Sequence, residues 1–356
     1  MLPFRLYEGA PQWVAPLISE RKRHLDRKRN PFFAHAEAEY FLARRGERVV
    51  GRISAQVDHR FNEFQGNEWG QFGFFECEDD PEVATALLDT ASSWLRERRR
   101  DHVIGPLDFS TNHECGLLVD GFEREPQILE NWHHPYYGPL LEGYGFEQAM
   151  DLYKWSLHVS GRDSVLPIVF ELADKLEPEH GIRIRNMRKR DLRNEVGRFK
   201  EIYNAAWERN WGFVPLTDDE IGNYCKELRP ILDPNWAMVA ETAEGETVGV
   251  AVTLPDFNQV LKKLDGRLLP FGWLTALRDR KKIDQVRVFA LGVKPEFQHT
   301  GVAAAFYKRH FDMAAITPQT GGEMGWILAT NEAMNRGMEA MGGKIVKTYR
   351  IYGKDL

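Results

Sequence analysis

Cysteine is scarce: three residues in 356, at positions 77, 115 and 225, with no Cys-x-x-Cys pair. That excludes a disulfide framework and a cysteine-based zinc site, and no metal is expected. Long apolar runs are missing too. None approaches the ~20 residues that cross a bilayer, and the opening Met1-Leu-Pro-Phe-Arg-Leu lacks a signal-peptide stretch. No transmembrane segment and a reduced, cytoplasmic setting are the expectations. Positive charge is in deficit, with 47 Lys and Arg against 53 Asp and Glu, which speaks against nucleic acid as a partner. The basic run at 96–100 does not alter this. It closes a helical pattern (Val83, Leu87, Leu88, Ala91, Trp94, Leu95) at the end where the helix dipole favours cations.

What is present includes 43% hydrophobic residues, enough for the cores of two domains. The chemistry is concentrated in residues 286–303, VRVFALGVKPEFQHTGVA. Strand formers at 286–293 enter a turn at Pro295, and Gly301 precedes a helical pattern carried by Ala303, Phe306, Tyr307, His310, Phe311 and Ala314. The first N–H groups of a helix have no partner within it and its dipole favours an anion, so this order of strand, turn, glycine and helix binds phosphate. The loop lacks the Lys-Ser/Thr of a Walker A motif and the repeated glycines of a dinucleotide fingerprint. Downstream, 323–330 reads as a strand, Asn331 opens a helix that includes Asn335, and 347–352 reads as a last strand.

The run Gln298-His299-Thr300-Gly301-Val302-Ala303 matches the Gln/Arg-x-x-Gly-x-Gly/Ala loop of the GNAT acetyltransferases, and the order of elements over 181–356 resembles that family. Segments 204–215, 108–116 and 349–352 also resemble a bacterial tandem GNAT group of unassigned substrate. The resemblance implies an N-acetyltransferase that moves an acetyl or other acyl group from acetyl-CoA to an amine of a small molecule. It places the pyrophosphate on Gln298 to Ala303, the pantetheine by Leu291, Gly292 and Val293, and Asn331 and Asn335 toward the cofactor. A backbone N–H near Leu291 to Val293 would hold the oxyanion. Gly292 marks either a bulge and close approach of the cofactor or a glycine merely tolerated near a strand end. The family's usual tyrosine for protonating the leaving thiolate falls on Met338, which leaves another hydroxyl of the same half, Tyr307 or Tyr352, or water for that step, or an acceptor that is not a simple amine.

The first half repeats the second in weakened form. Asn331, Glu339 and Gly342 each stand 197 residues beyond His134, Glu142 and Gly145. Hairpins around Gly46 and Gly245 correspond as well. Where the first copy should carry its phosphate loop it has Glu78-Asp79-Asp80-Pro81-Glu82, acidic and without glycine, which caps a helix and repels a diphosphate. The expected fold is α/β, two tandem GNAT-like domains with mixed, largely antiparallel sheets flanked by helices. Residues 1–160 form the degenerate copy, 161–180 a linker, and 181–356 the copy that binds acetyl-CoA.

No general base announces itself. Asp256, Glu323, His113 and Glu114 are the ionisable groups at strand ends or in a loop facing the cleft, and Asn331, Tyr307, Tyr352 and Glu114 are the catalytic candidates. Asn210, Trp211 and Phe213 suit an acceptor pocket, with Asn112 and Glu114 of the first half facing them. Residues 261–283 form an insertion with an apolar middle and basic ends, read as a lid on its own domain or as a membrane-surface contact. A non-catalytic acyl-CoA sensor and a transferase for a lipid-like acceptor are the alternative functions. The acceptor, the acyl length and the oligomeric state are not legible.

Overall fold

The computed structural model describes residues 2–356. The first half runs through α1 (Leu2–Leu6), α2 (Ile18–His24), β1 (Ala36–Arg45), β2 (Arg48–Asp58), α3 (His59–Gln65), β3 (Trp69–Cys77), α4 (Pro81–Glu97), β4 (His102–Gly105), β5 (Leu117–Asp120), α5 (Tyr137–Gly143) and β6 (Glu147–His158). The second runs through α6 (Pro167–His180), β7 (Arg183–Asn186), α7 (Leu192–Trp207), α8 (Asp218–Leu228), β8 (Ala237–Glu241) and β9 (Thr247–Pro255). It continues with α9 (Asn258–Leu261), α10 (Gly272–Asp279), β10 (Gln285–Val293), α11 (Val302–Ala314), β11 (Gly321–Leu328), α12 (Glu332–Ala340) and β12 (Lys344–Asp355).

Local chemistry sets many of the boundaries. Gly46 at φ 58° and Gly245 at φ 89° take the left-handed conformation that closes the β1–β2 and β8–β9 turns. The Asp80 side chain accepts from Glu82 N at the start of α4, whose Val83, Leu87, Leu88, Ala91 and Leu95 are buried on one face. Thr217 and Glu220 form a reciprocal capping box that starts α8.

The strands form one twelve-stranded sheet in the order β1-β2-β3-β4-β12-β6-β11-β10-β9-β8-β7, with β5 added beside β12. Neighbours are antiparallel except for the pairs β3/β4 and β10/β11. This is the mixed, mostly antiparallel α/β architecture expected, with one feature the sequence hides. Each half gives its last strand to the other: β6 pairs with β11 (His158 opposite Gly321), and β12 pairs with β4 (Gly105 opposite Tyr352). The exchanged strands lie side by side at the centre of the sheet, so neither half leaves a free edge there. The stretch expected as a linker, 161–180, differs as well. It contains α6, whose Val169 and Leu176 are buried in the same core as Phe306 and Phe311 of α11. Its polar ends are helix boundaries, with Gly181 at φ 65° closing the C-terminus.

Both parallel pairs splay, and the two gaps meet different fates. β3 and β4 separate after Gln71–Ile104, and the space is filled by the chain's own residues 106–116. A side chain at Gly73 would overlap Leu107 O, Asp108 Oδ1 accepts from Phe74 N at 2.9 Å, and the rings of Phe74 and Phe109 sit 5.0 Å apart. The acidic loop beside it is tied by Arg5 and Arg48 to Glu78 and by Arg45 to Asp80 and Glu82. β10 and β11 separate after Val288–Met324, and that gap is open.

Candidate functional site

β10 shifts register against β9 between Val288 and Ala290, and β11 shifts against β6 between Met324 and Ile327, so both strands bend where they part. A cavity of about 570 Å³ occupies the gap. Beyond Val288 the β11-facing side of β10 has no strand partner, so N–H groups on that side are free to donate to a ligand.

The residues predicted to hold the cofactor divide. Leu291, Gly292, Val293, Gln298, Ala303 and Asn331 line the cavity. Asn331 Oδ1 also caps α12 by accepting from Met334 N at 3.1 Å. His299 and Thr300 do not line it; Thr300 Oγ1 donates to Phe297 O at 2.7 Å. Gly301 and Val302 are buried under α6, and a Cβ on Gly301 would lie 2.9 Å from Leu172 O. Asn335 is turned to the protein: its Nδ2 donates to Leu328 O at 3.1 Å and its Oδ1 accepts from Trp155 Nε1 at 3.0 Å. Gly292 is explained by packing, because a side chain there would overlap the Trp207 ring of α7; the bulge lies earlier in the strand.

The hydroxyl candidates separate too. Tyr307 lines the cavity, with Oη 3.5 Å from Met334 Sδ, and burial raises its pKa so the phenol keeps its proton. Gly337 stands against Tyr307 Oη, leaving that part of α12 open, whereas Met338 is wholly buried. Tyr352 lies in the first-half core, donating to Glu142 Oε1 at 3.0 Å, and is outside the cavity.

The acceptor-side residues come together. Asn210, Trp211, Phe213, Asn112 and Glu114 all line the cavity. The two loops adjoin rather than face each other: Thr111 Oγ1 donates to Gly212 O at 2.6 Å, and Asn112 Nδ2 donates to Val214 O at 3.2 Å. The hydroxyls of Tyr203 and Tyr224 bond Asn112 from α7 and α8. The first half therefore forms part of the wall.

Behind Asn112 lies a charged cluster that sequence reasoning only half found. Arg21 of α2 reaches Asp108 at 3.3 Å and Glu114 at 3.4 Å. Burial opposes ionisation of Glu114, but Arg21, His24 and His113 hold its pKa down to about 2, which makes it a weak base. Burial pushes Asp108 up to about 6 against the pull of Arg21. His113 and His24 line the same wall, with ring centroids 4.9 Å apart. Burial lowers His113, and burial with the neighbouring His113 takes His24 down to about 3, so both are neutral at pH 7. Ser110 Oγ lies 3.1 Å from His113 Nδ1. In the tautomer with the proton on Nδ1, Ser110 accepts it and Nε2 is free to take another. Arg21 and His24 carried no sequence signal, since they sit in a short basic helix with the look of a solvated surface. Cys115 also lines the cavity, but burial pushes its thiol up to about 12, so it is no thiolate nucleophile.

The other two carboxylate candidates are structural. Asp256 Oδ1 accepts from Ile128 N at 2.9 Å and Asn258 N at 3.2 Å. Glu323 pairs with Lys347 at 2.8 Å, and neither acid lines the cavity.

No family model matches the chain. It is 39% identical to the bacterial ceramide synthase of Caulobacter vibrioides, over all of this chain and 93% of that protein. It is 32% identical to protein YghO of Escherichia coli, over 99% of this chain and 91% of that one. Among solved structures, a tandem GNAT protein from the clavulanic acid biosynthesis pathway superposes with a TM-score of 0.54 at 10% identity, covering 90% of this chain and 83% of the other.

Proposed function

The chain belongs to the tandem GNAT acyltransferases, in one family with the bacterial ceramide synthase, and from that premise we propose that it joins a fatty acyl group from coenzyme A to the amine of a long-chain base. One observation carries this reading. The cavity at the strand gap extends into a wall of carbon side chains from α7, the end of α8, the turn after it and β10: Leu192, Val196, Phe199, Leu228, Leu232 and Phe289. A small polar amine has no use for such a wall, and an alkyl chain is stabilised by ~0.8 kcal/mol per buried methylene. Of the acceptors considered from sequence, this favours the lipid-like one over the small metabolite.

The residues present fit a coenzyme A thioester, with the open gap for pantetheine and the small Ala303 at the start of α11 for its phosphates. When bound, the thioester supplies the activated acyl group. The cavity's low polarity favours the neutral amine over the ammonium. His113 accepts the proton that the amine loses on forming the amide bond. Free N–H groups of β10 donate to the carbonyl oxygen as it gains charge. Tyr307 supplies a proton to the departing sulfur.

Product analysis with acetyl-, octanoyl- and palmitoyl-CoA, each offered to a polyamine, an amino sugar and a long-chain 2-amino alcohol, tests the reading. Amide formation should require the long-chain amine. Acetylation of the polar amines alone would overturn it. The coenzyme site has its own test in Ala303→Glu, which puts a carboxylate at a helix start that tolerates it but where the diphosphate belongs. Affinity for coenzyme A should fall at least tenfold, about 1.4 kcal/mol, with circular dichroism unchanged. Unaltered affinity would move the site. Gly301 is the wrong place for that experiment, since φ is 91° and any side chain would press on α6.

A further inference from the structure

We propose that the insertion around α10 is a docking surface for an anionic lipid membrane. Its inner side is well anchored: Val260, Leu264 and Ile283 are buried, with Leu17, Phe257, Leu261 and Ala276 packed on them. Its outer side is not covered. Leu269 and Phe271 are each 73% exposed, and Trp273, Leu274 and Leu277 are 44–51% exposed within the same short stretch. None of residues 261–283 lines the cavity, so the segment is not a lid over it. Trp273 Nε1 donates to Pro270 O at 2.9 Å, so the indole can enter an apolar layer with its polar group satisfied.

Charge identifies the occupant. Between positions 262 and 282 stand Lys262, Lys263, Arg267, Arg278, Arg280, Lys281 and Lys282 against only Asp265 and Asp279, an excess of five positive charges on a chain whose net charge is −6. Asp279 takes up Lys263 at 3.0 Å, Arg278 at 2.8 Å and Lys282 at 3.0 Å. Arg267, Arg280 and Lys281 are exposed and have no acidic partner among the described residues. Exposed apolar side chains flanked along the chain by free cations match an interface with acyl chains below and anionic headgroups around. A second copy of the chain is a poor match, because it would bring two equally positive patches together. The inference does not depend on which acceptor the cavity takes.

Sedimentation with vesicles decides it. The full chain should pellet with vesicles of phosphatidylglycerol mixed with phosphatidylcholine, bind phosphatidylcholine alone far more weakly, and be released by salt. The double variant Leu269→Glu, Phe271→Glu should lose at least tenfold in partition onto the mixed vesicles, and Arg280→Glu, Lys281→Glu should lose a similar amount while keeping the apolar patch. All four positions are exposed, so circular dichroism should not change. Wild-type protein left in the supernatant, or both variants binding as well as wild type, would overturn the proposal. So would sedimentation velocity showing a lipid-free dimer that Leu269→Glu, Phe271→Glu dissolves and vesicles do not compete away.

Discussion

Replacing His113 by glutamine should lower kcat at least a hundredfold, the low end of what a positioned base contributes, with coenzyme A affinity within about twofold. The expectation rests on the environment of the ring. Burial disfavours the imidazolium most and Arg21 disfavours it too, although Glu114, Glu220 and Asp58 pull the other way. The neutral form, the one able to take a proton, therefore persists to lower pH than in an ordinary histidine at ~6.5. In the wild type the acidic limb of kcat/KM should lie below that value, and His113→Gln should remove it. His24→Gln is the discriminating control. If it carries the hundredfold loss and His113→Gln does not, the base is His24 and the assignment is wrong. Glu114→Gln should act differently: it leaves Arg21 short of a partner, and its effect should fall on acceptor KM and on stability rather than on the acidic limb.

The largest effect on stability is expected at Glu130. This residue of the first half is buried and holds three cations from the middle of the sheet: Lys154 and Lys347 of the exchanged strands β6 and β12, the latter at 3.3 Å, and Arg287 of β10 at 3.4 Å. Burial alone would raise its pKa, but the three cations keep it ionised, well below the usual carboxylate range. Glu130→Gln removes a carboxylate that all three share and leaves buried like charges facing one another, with Glu323 still paired to Lys347. Breaking a buried network from one side costs ~3–5 kcal/mol, which for a chain of this size lowers Tm by roughly 4–7 degrees. Denaturant melts of the variant should show it. A loss under ~1 kcal/mol would mean that water or side-chain rearrangement compensates the charges, and that the network is not what locks the halves.

Much of this was legible beforehand for identifiable reasons. Local signals gave the second-half elements, because Gly245 in its turn, the Thr217–Glu220 capping box and Asn331 at the start of α12 each state their conformation within a few residues. The acidic, glycine-free run at 78–82 set the first copy apart from the second, whose Gln298 to Ala303 lead into α11 beside the open gap. The site was legible only where a motif spans it. His299 and Thr300 belong to the motif and Asn335 stands four residues beyond Asn331 on the same helix, yet their side chains meet the protein or solvent rather than the cavity.

Composition and local pattern by themselves determined the class of the fold and its duplication, since those depend on periodicity, turns and helix ends read within short windows. Only the tertiary structure decided the exchange of β6 and β12, the helix at 167–180, the meeting of Arg21, His24, His113 and Glu114 on one wall, and the charge network at Glu130. Each of these depends on residues far apart in sequence being buried together. Burial then fixes which carboxylate stays ionised, which imidazole stays neutral and which apolar stretch is left uncovered, and no single segment carries that information.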